Sequence, residues 1–128
     1  MSAVLDASAL LAYLQREPGA GSVKAVLGSA IMSTVNWTEV IQKAADSEGE
    51  AAELRVGLES LGLILEPFSA SQAGIAGSLR DSTMELGLSL GDRACLALAI
   101  EKGETILTAD RIWRRLRLGI GIGIEVIR

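Results

Sequence analysis

The chain has 128 residues, 49% of them apolar but only 3% aromatic, with 16 acidic side chains against 12 basic ones. That length suits one domain with an aliphatic core, and the apolar content excludes a disordered chain. No uncharged apolar run approaches the roughly eighteen residues of a spanning helix, and a formal charge of -4 argues against a general basic nucleic-acid binder while leaving room for a local basic patch.

The first residues, Met1-Ser2-Ala3-Val4-Leu5-Asp6, have no basic region and meet a carboxylate at once, so they do not read as a secretory signal. Ala3-Val4-Leu5 reads instead as a short buried strand ending at Asp6. Ser8 is a candidate cap for a helix carrying Leu10, Leu11, Tyr13 and Leu14, which Pro18-Gly19 stops. A shorter helix is expected from Gly21 to Leu27, a buried strand from Ala30 to Ser33, and a helix from about Val35 to Ala45. Ser47-Glu48-Gly49 reads as a turn. Glu50 to Leu61 is amphipathic, with Leu54, Leu58 and Leu61 inside and Glu53, Arg55 and Glu59 outside.

Leu63-Ile64-Leu65 is a third strand, closed by Pro67. One long helix is expected over Ser69–Leu86 and another over Gly91–Glu101. Thr105-Ile106-Leu107 is a fourth strand, and Ile112–Leu118 a short helix or turn. Ile120, Ile122, Ile124 and Val126 alternate with Gly and Glu, which predicts a fifth, half-buried strand. Short apolar strands separated by helices predict an α/β fold, a parallel five-stranded sheet flanked by helices on both faces. No repeat, linker or charge block divides residues 1–128, so a single domain is expected.

In such a sheet, ligands bind beyond the carboxyl ends of the strands. Asp6 ends the first strand and Asp110 follows the fourth. Glu39 falls in the early turns of the helix entered from the second strand. Asp92 opens the helix that leads back to the fourth. These carboxylates, from distant segments, are expected on one edge of the sheet. Each also has a plain structural role open to it: a helix cap for Asp6, a helix N-terminal charge for Asp92, a turn for Asp110, solvated surface for Glu39.

The chain contains no histidine, and Cys95 is its single cysteine. Histidine-based triads and dyads, imidazole zinc sites and disulfides are therefore excluded, and a reducing cytoplasm is the expected compartment. Any chemistry must come from carboxylates, hydroxyls, Lys, Arg or a metal held by oxygen.

Asp6-Ala7-Ser8-Ala9 after the first strand, Asn36-Trp37-Thr38-Glu39, Ser89-Leu90-Gly91-Asp92 with Ala97-Leu98-Ala99, and Thr108-Ala109-Asp110 together resemble the PIN-domain ribonucleases. In length and helix number the chain resembles the small toxins of the virulence-associated (VapBC-type) toxin–antitoxin pairs. The resemblance runs through essentially the whole chain. It implies the PIN fold, Mg2+- or Mn2+-dependent endonuclease activity on RNA, a cognate antitoxin and a homodimer. It also implies that Asp6, Glu39, Asp92 and Asp110 form the catalytic, metal-holding set, with Ser8 and Thr108 in support. Asn36 falls at a position often polar in that family. The alternatives are an RNA-processing nuclease outside a toxin–antitoxin pair, a metal phosphohydrolase on a smaller substrate, and a PIN-like binding module without turnover.

Phosphodiester hydrolysis without histidine points to water on a hard divalent cation as nucleophile. Mg2+ takes one or two carboxylates, keeps several waters and accepts phosphate, which suits an open acidic pocket. Arg111, Arg114, Arg115 and Arg117 follow Asp110 closely and are candidate RNA contacts, as is Arg93, for which a surface ion pair is the alternative. Trp37 and Trp113 are read as core. Gly119-Ile120-Gly121-Ile122-Gly123 has neither the spacing nor the context of a phosphate loop and reads as edge strand. An aliphatic patch around Leu10, Leu14 and Val26 is the expected dimer surface. The antitoxin is expected to set a basic residue at or near the acid cluster.

Overall fold

Alternation along the strands divides the interior in two. In β1 (Ala3–Leu5), Ala3 and Leu5 enter one apolar cluster and Val4 the other. The first cluster also takes Met32 of β2 (Ala30–Ser33) and Leu107 of β4 (Thr105–Thr108), while Ile31 and Ile106 join Val4 on the far side. Successive strand residues point to opposite faces, so both faces of this sheet are buried. The computed structural model describes residues 2–116 and 121–128. Its strands are all parallel and run in the order β3-β2-β1-β4-β5, with β3 at Ile64–Glu66 and β5 at Ile124–Val126.

Leu10 and Leu11 of α1 (Ala7–Leu14), Val23 of α2 (Ala20–Val26), Trp37 and Val40 of α3 (Thr34–Ala44) and Leu58 of α4 (Glu48–Ser60) cover the first face. The second face is covered by Cys95, Leu96, Leu98 and Ala99 of α7 (Leu90–Lys102), with Leu79, Trp113 and Leu116. Both tryptophans are core residues, as expected. Among the described residues, no helix is long and apolar enough to cross a membrane.

The structure corrects several local expectations. Asp6 caps α1, not Ser8: the Asp6 carboxylate accepts the Ala9 N–H at 2.8 Å, and Ser8 lies inside the helix. Ser47 caps α4 and accepts the Glu50 N–H, so Glu48 and Gly49 are helical rather than a turn; acidic residues in that first turn suit the helix dipole. The expected long helix over Ser69–Leu86 is broken into α5 (Ala70–Ser78), α6 (Arg80–Thr83) and a 3-10 turn at Met84–Leu86. The Ser78 hydroxyl donates back to the Ile75 carbonyl, and those of Ser82 and Thr83 to the Leu79 carbonyl, the back-bonding that bends helices. A 3-10 turn spans Arg111–Arg115. Arg117, Leu118, Gly119 and Ile120 lie outside the described residues, and Gly121, Ile122 and Gly123, expected in the fifth strand, are not strand: Gly121 has a φ of +69°, and β5 begins only at Ile124.

The expected aliphatic patch is also revised. Leu10 is fully buried, while Leu14 and Val26 are half-buried against the first cluster. Among the described residues, the exposed large apolar side chains are Val56, Leu61, Ile64, Met84 and Leu90.

Candidate active site

The chain steps outward from β1 through β2 to β3, then returns to place β4 on the other side of β1. The carboxyl ends of β1 and β4 therefore flank the point where the connections diverge, which is where open parallel sheets leave a crevice. Asp6 stands there, 4% exposed. Its Oδ1 accepts from the Ser8 hydroxyl at 2.7 Å as well as from the Ala9 N–H, and its Oδ2 accepts from the Thr108 hydroxyl. Each hydroxyl is itself held by backbone of the loop that follows β4. Ser8 Oγ accepts the Ala109 N–H at 2.9 Å, and Thr108 Oγ1 accepts the Asp110 N–H at 3.1 Å. Burial pushes the Asp6 carboxyl up to about 6; the Thr108, Ala9 and Ser8 hydrogen bonds oppose that rise and the nearby Asp92 charge adds to it.

Asp92 is the third residue of α7 and closes a capping box with Ser89, accepting the Ser89 N–H at 2.9 Å while Ser89 Oγ accepts the Asp92 N–H. Asp110 caps the Arg111–Arg115 turn by accepting the Ile112 N–H at 3.1 Å. Glu39 Oε1 accepts from Asn36 Nδ2 at 2.9 Å, and the same nitrogen donates to the Gly91 carbonyl at 3.0 Å, joining α3 to α7. Capping and turn roles are thus real for these acids, and they coexist with a shared location. Asp6, Glu39, Asp92 and Asp110 all line one open cleft, together with Ser8, Asn36, Gln15, Glu17, Lys43 and Arg128. Beneath it, burial first and then the Asp6, Asp92 and Glu39 charges hold the Cys95 thiol well above its ordinary range, so Cys95 is an inert core group.

A family model described as the PIN domain matches residues 3–118. The chain belongs to the PIN-domain family. Solved structures share this PIN fold over nearly the whole chain. A toxin–antitoxin complex from Klebsiella pneumoniae superposes with a TM-score of 0.70 at 21% identity, covering 87% of this chain and 89% of that one. VapBC2 from Rickettsia felis, bound to a promoter DNA fragment, gives 0.69 at 19% identity over 98% of both chains. DNA-bound VapBC from Salmonella typhimurium gives 0.69 at 18% identity over 98% and 97%. A comparison with curated proteins finds no match.

The donor set of this PIN domain is oxygen throughout, which suits a hard cation such as Mg2+ or Mn2+. Asn36, which lines the cleft, adds a buried Oδ1 that accepts from no described group. Among the described residues, no three acidic or cysteine side chains cluster tightly enough to hold a metal between them. Each carboxylate is turned instead to its own hydrogen-bond donor. A cation that keeps several waters and takes only one or two carboxylates fits such spacing, so the residues fit the group.

The structure leaves Arg93 out of the cleft: its Nη1 donates to the Ala76 carbonyl at 3.0 Å, tying α7 to α5. Arg111 lies beside Asp110 in an adjoining shallow cleft with Ser8 and Arg128. Arg111 Nε and Arg114 Nη2 donate to the Arg128 carbonyl oxygen at 3.3 and 3.4 Å, and Arg115 is exposed. Two basic residues of the lining escape the sequence reading. Lys43 follows Glu39 by one helical turn on α3, a spacing that could have revealed it. Arg128 carries no such signal. It arrives because Ile127 bonds to Thr108 and packs against Gly19, where Ile127 itself fills the place of a Cβ, and it pairs with Glu17 at 3.5 Å.

Proposed function

We propose that this PIN domain is a metal-dependent endoribonuclease that hydrolyses RNA phosphodiester bonds and serves as the toxin of a toxin–antitoxin pair. The observation that carries the proposal is the cleft at the divergence of β1 and β4, lined by carboxylates from separate segments. In this reading Asp6, Glu39, Asp92 and Asp110 hold Mg2+ or Mn2+. When bound, such an ion supplies a nucleophilic water at neutral pH and offsets charge on the phosphoryl oxygens. Ser8 and Thr108 fix the Asp6 carboxylate, and Asn36 fixes Glu39. Arg111, Arg114 and Arg115, on the turn just after Asp110, attract the RNA backbone toward an otherwise acidic surface.

The related structures named above are toxin–antitoxin complexes, and likeness to them supports a protein partner for this chain. That partner sets a basic side chain at the acid cluster, where a guanidinium pairs with carboxylates through parallel hydrogen bonds. A cytoplasmic location and a homodimer complete the reading. The test is incubation of the purified chain with defined RNA, with and without Mg2+ or Mn2+, followed by mapping of new 5′ ends. Internal cuts that need the cation and vanish in Asp6→Asn are expected. RNA left intact under both cations overturns the proposal.

A further inference from the structure

Gly91 is buried in the first turn of α7, and its backbone is ordinary for a helix: it is not among the glycines with positive φ. Conformation does not call for glycine there, and helix propensity disfavours it relative to alanine. Space calls for it. A Cβ on Gly91 would lie 2.5 Å from Glu39 Oε1 and 2.8 Å from both Cδ and Oε2. The carboxylate of Glu39 therefore occupies the volume that any other residue would fill. Gly62 is a useful contrast, because a Cβ there would strike the backbone of Gly28, a matter of chain packing. At Gly91 the obstacle is the far end of one side chain that lines the cleft.

The seat is locked from a second direction. Asn36 Nδ2 donates to both Glu39 Oε1 and the Gly91 carbonyl. Both partners only accept, so turning the amide round would set oxygen against oxygen, and its orientation is fixed. Asn36 Oδ1 is consequently held buried beside the cleft with no described donor.

We propose that Gly91 is a positioning residue of the cleft: its missing side chain is the seat of the Glu39 carboxylate, and Asn36 locks that seat by binding both. The inference rests on the reading of the cleft as a cation site. It assigns to the backbone of α7 the job of aiming a carboxylate that belongs to α3.

The test uses the full chain in native form and as Gly91→Ala, Glu39→Ala and the double variant. Melting is followed in chelator, and Mn2+ affinity by calorimetry. Gly91→Ala is expected to melt at or above the native temperature and yet to bind Mn2+ about tenfold or more weakly, the usual scale for removing a ligand's support. In the Glu39→Ala background it should add no further loss, and Glu39→Asp, one methylene shorter, should restore part of the affinity to Gly91→Ala. Native Mn2+ affinity in Gly91→Ala, or an equal loss in both backgrounds, overturns the inference while leaving the nuclease reading intact. If Gly91→Ala fails to fold, the double variant decides: recovery with Glu39 truncated supports the seat, and continued failure overturns it. If the native chain neither binds Mn2+ nor cuts RNA, the functional reading falls, and coupling of the two substitutions in melting temperature still decides the contact.

Discussion

The two walls of the cleft hold their carboxylates by opposite means. On the strand side, Asp6 is gripped by two hydroxyls and a backbone N–H, and those hydroxyls are in turn fixed by N–H groups of the β4 loop. On the helix side, Glu39 is held by a single amide and by the absence of a side chain at Gly91. The strand wall is fully satisfied and buried, so its carboxyl is fixed in place but pushed toward neutrality. On the helix wall Glu39 is only half-buried, and Asn36 Oδ1 is buried without a described donor. The difference teaches that one wall fixes its carboxylate by hydrogen bonds and the other chiefly by shape.

The largest effect should come from breaking the strand side. Asp6→Asn keeps the shape and the hydrogen-bonding size of the group but removes its charge. Turnover should fall by at least about a hundredfold, the scale on which a positioned catalytic group acts, as measured by initial rates at saturating Mg2+. Near-native rates would show that the strand wall is not where the chemistry is anchored.

The same substitution should change the pH dependence of folding. In the fold the Asp6 carboxyl titrates near 6, above its ordinary 3.8, so the native state holds this proton more tightly than the unfolded chain. The resulting stability is fully present below about pH 4 and is lost as pH rises through about 6, a change of about 3 kcal/mol for the whole shift. Melting in chelator from pH 4 to pH 7.5 should therefore show Asp6→Asn gaining on the native chain as pH rises. Asn36→Ala, on the other wall, should leave that difference as it is. A gap between native and Asp6→Asn that stays constant with pH would remove the contrast between the walls.

Thr108→Val tests what keeps Asp6 from rising further. The change preserves shape but removes a donor to Asp6 Oδ2 and the acceptor of the Asp110 N–H. Leaving such groups without partners costs about 1–3 kcal/mol, and the Asp6 transition in the melting profile should move to higher pH. A profile that moves to lower pH would mean that the hydroxyl is not supporting the carboxylate.

Much of this arrangement is legible in the sequence because strand ends and helix starts carry punctuation. Asp6, Asp92 and Asp110 follow apolar runs or cap signals, so their common edge can be read from the sequence. Glu39 follows from its place early in the helix after β2. The break in the helix over Ser69–Leu86 is less legible, since Ser and Thr hydroxyls reveal their back-bonding only when the carbonyls they reach are known. Gly91 and Arg128 are least legible of all. One depends on how closely α3 approaches α7, and the other on where β5 leaves the chain beside α1, and neither distance has a local signature.

The smallest effect should come from the rim, where neither wall is touched. Arg115 is exposed on the turn that Asp110 caps, apart from the carboxylates and their donors. If it serves only to draw the RNA backbone, its loss weakens binding without altering the reacting centre. One phosphate contact contributes roughly 0.7 to the salt slope of single-strand binding. Arg115→Ala should therefore raise KM a few-fold at low ionic strength, with the deficit shrinking as salt increases and the slope of log affinity against log salt falling by about that amount. Arg93→Ala makes the complementary measurement. Because Arg93 is bonded to the Ala76 carbonyl between α7 and α5, its loss should lower the melting temperature and leave the salt slope unchanged. A fall in slope for Arg93 and none for Arg115 would exchange the two roles, moving the RNA path from the β4 side of the cleft to the α5 side.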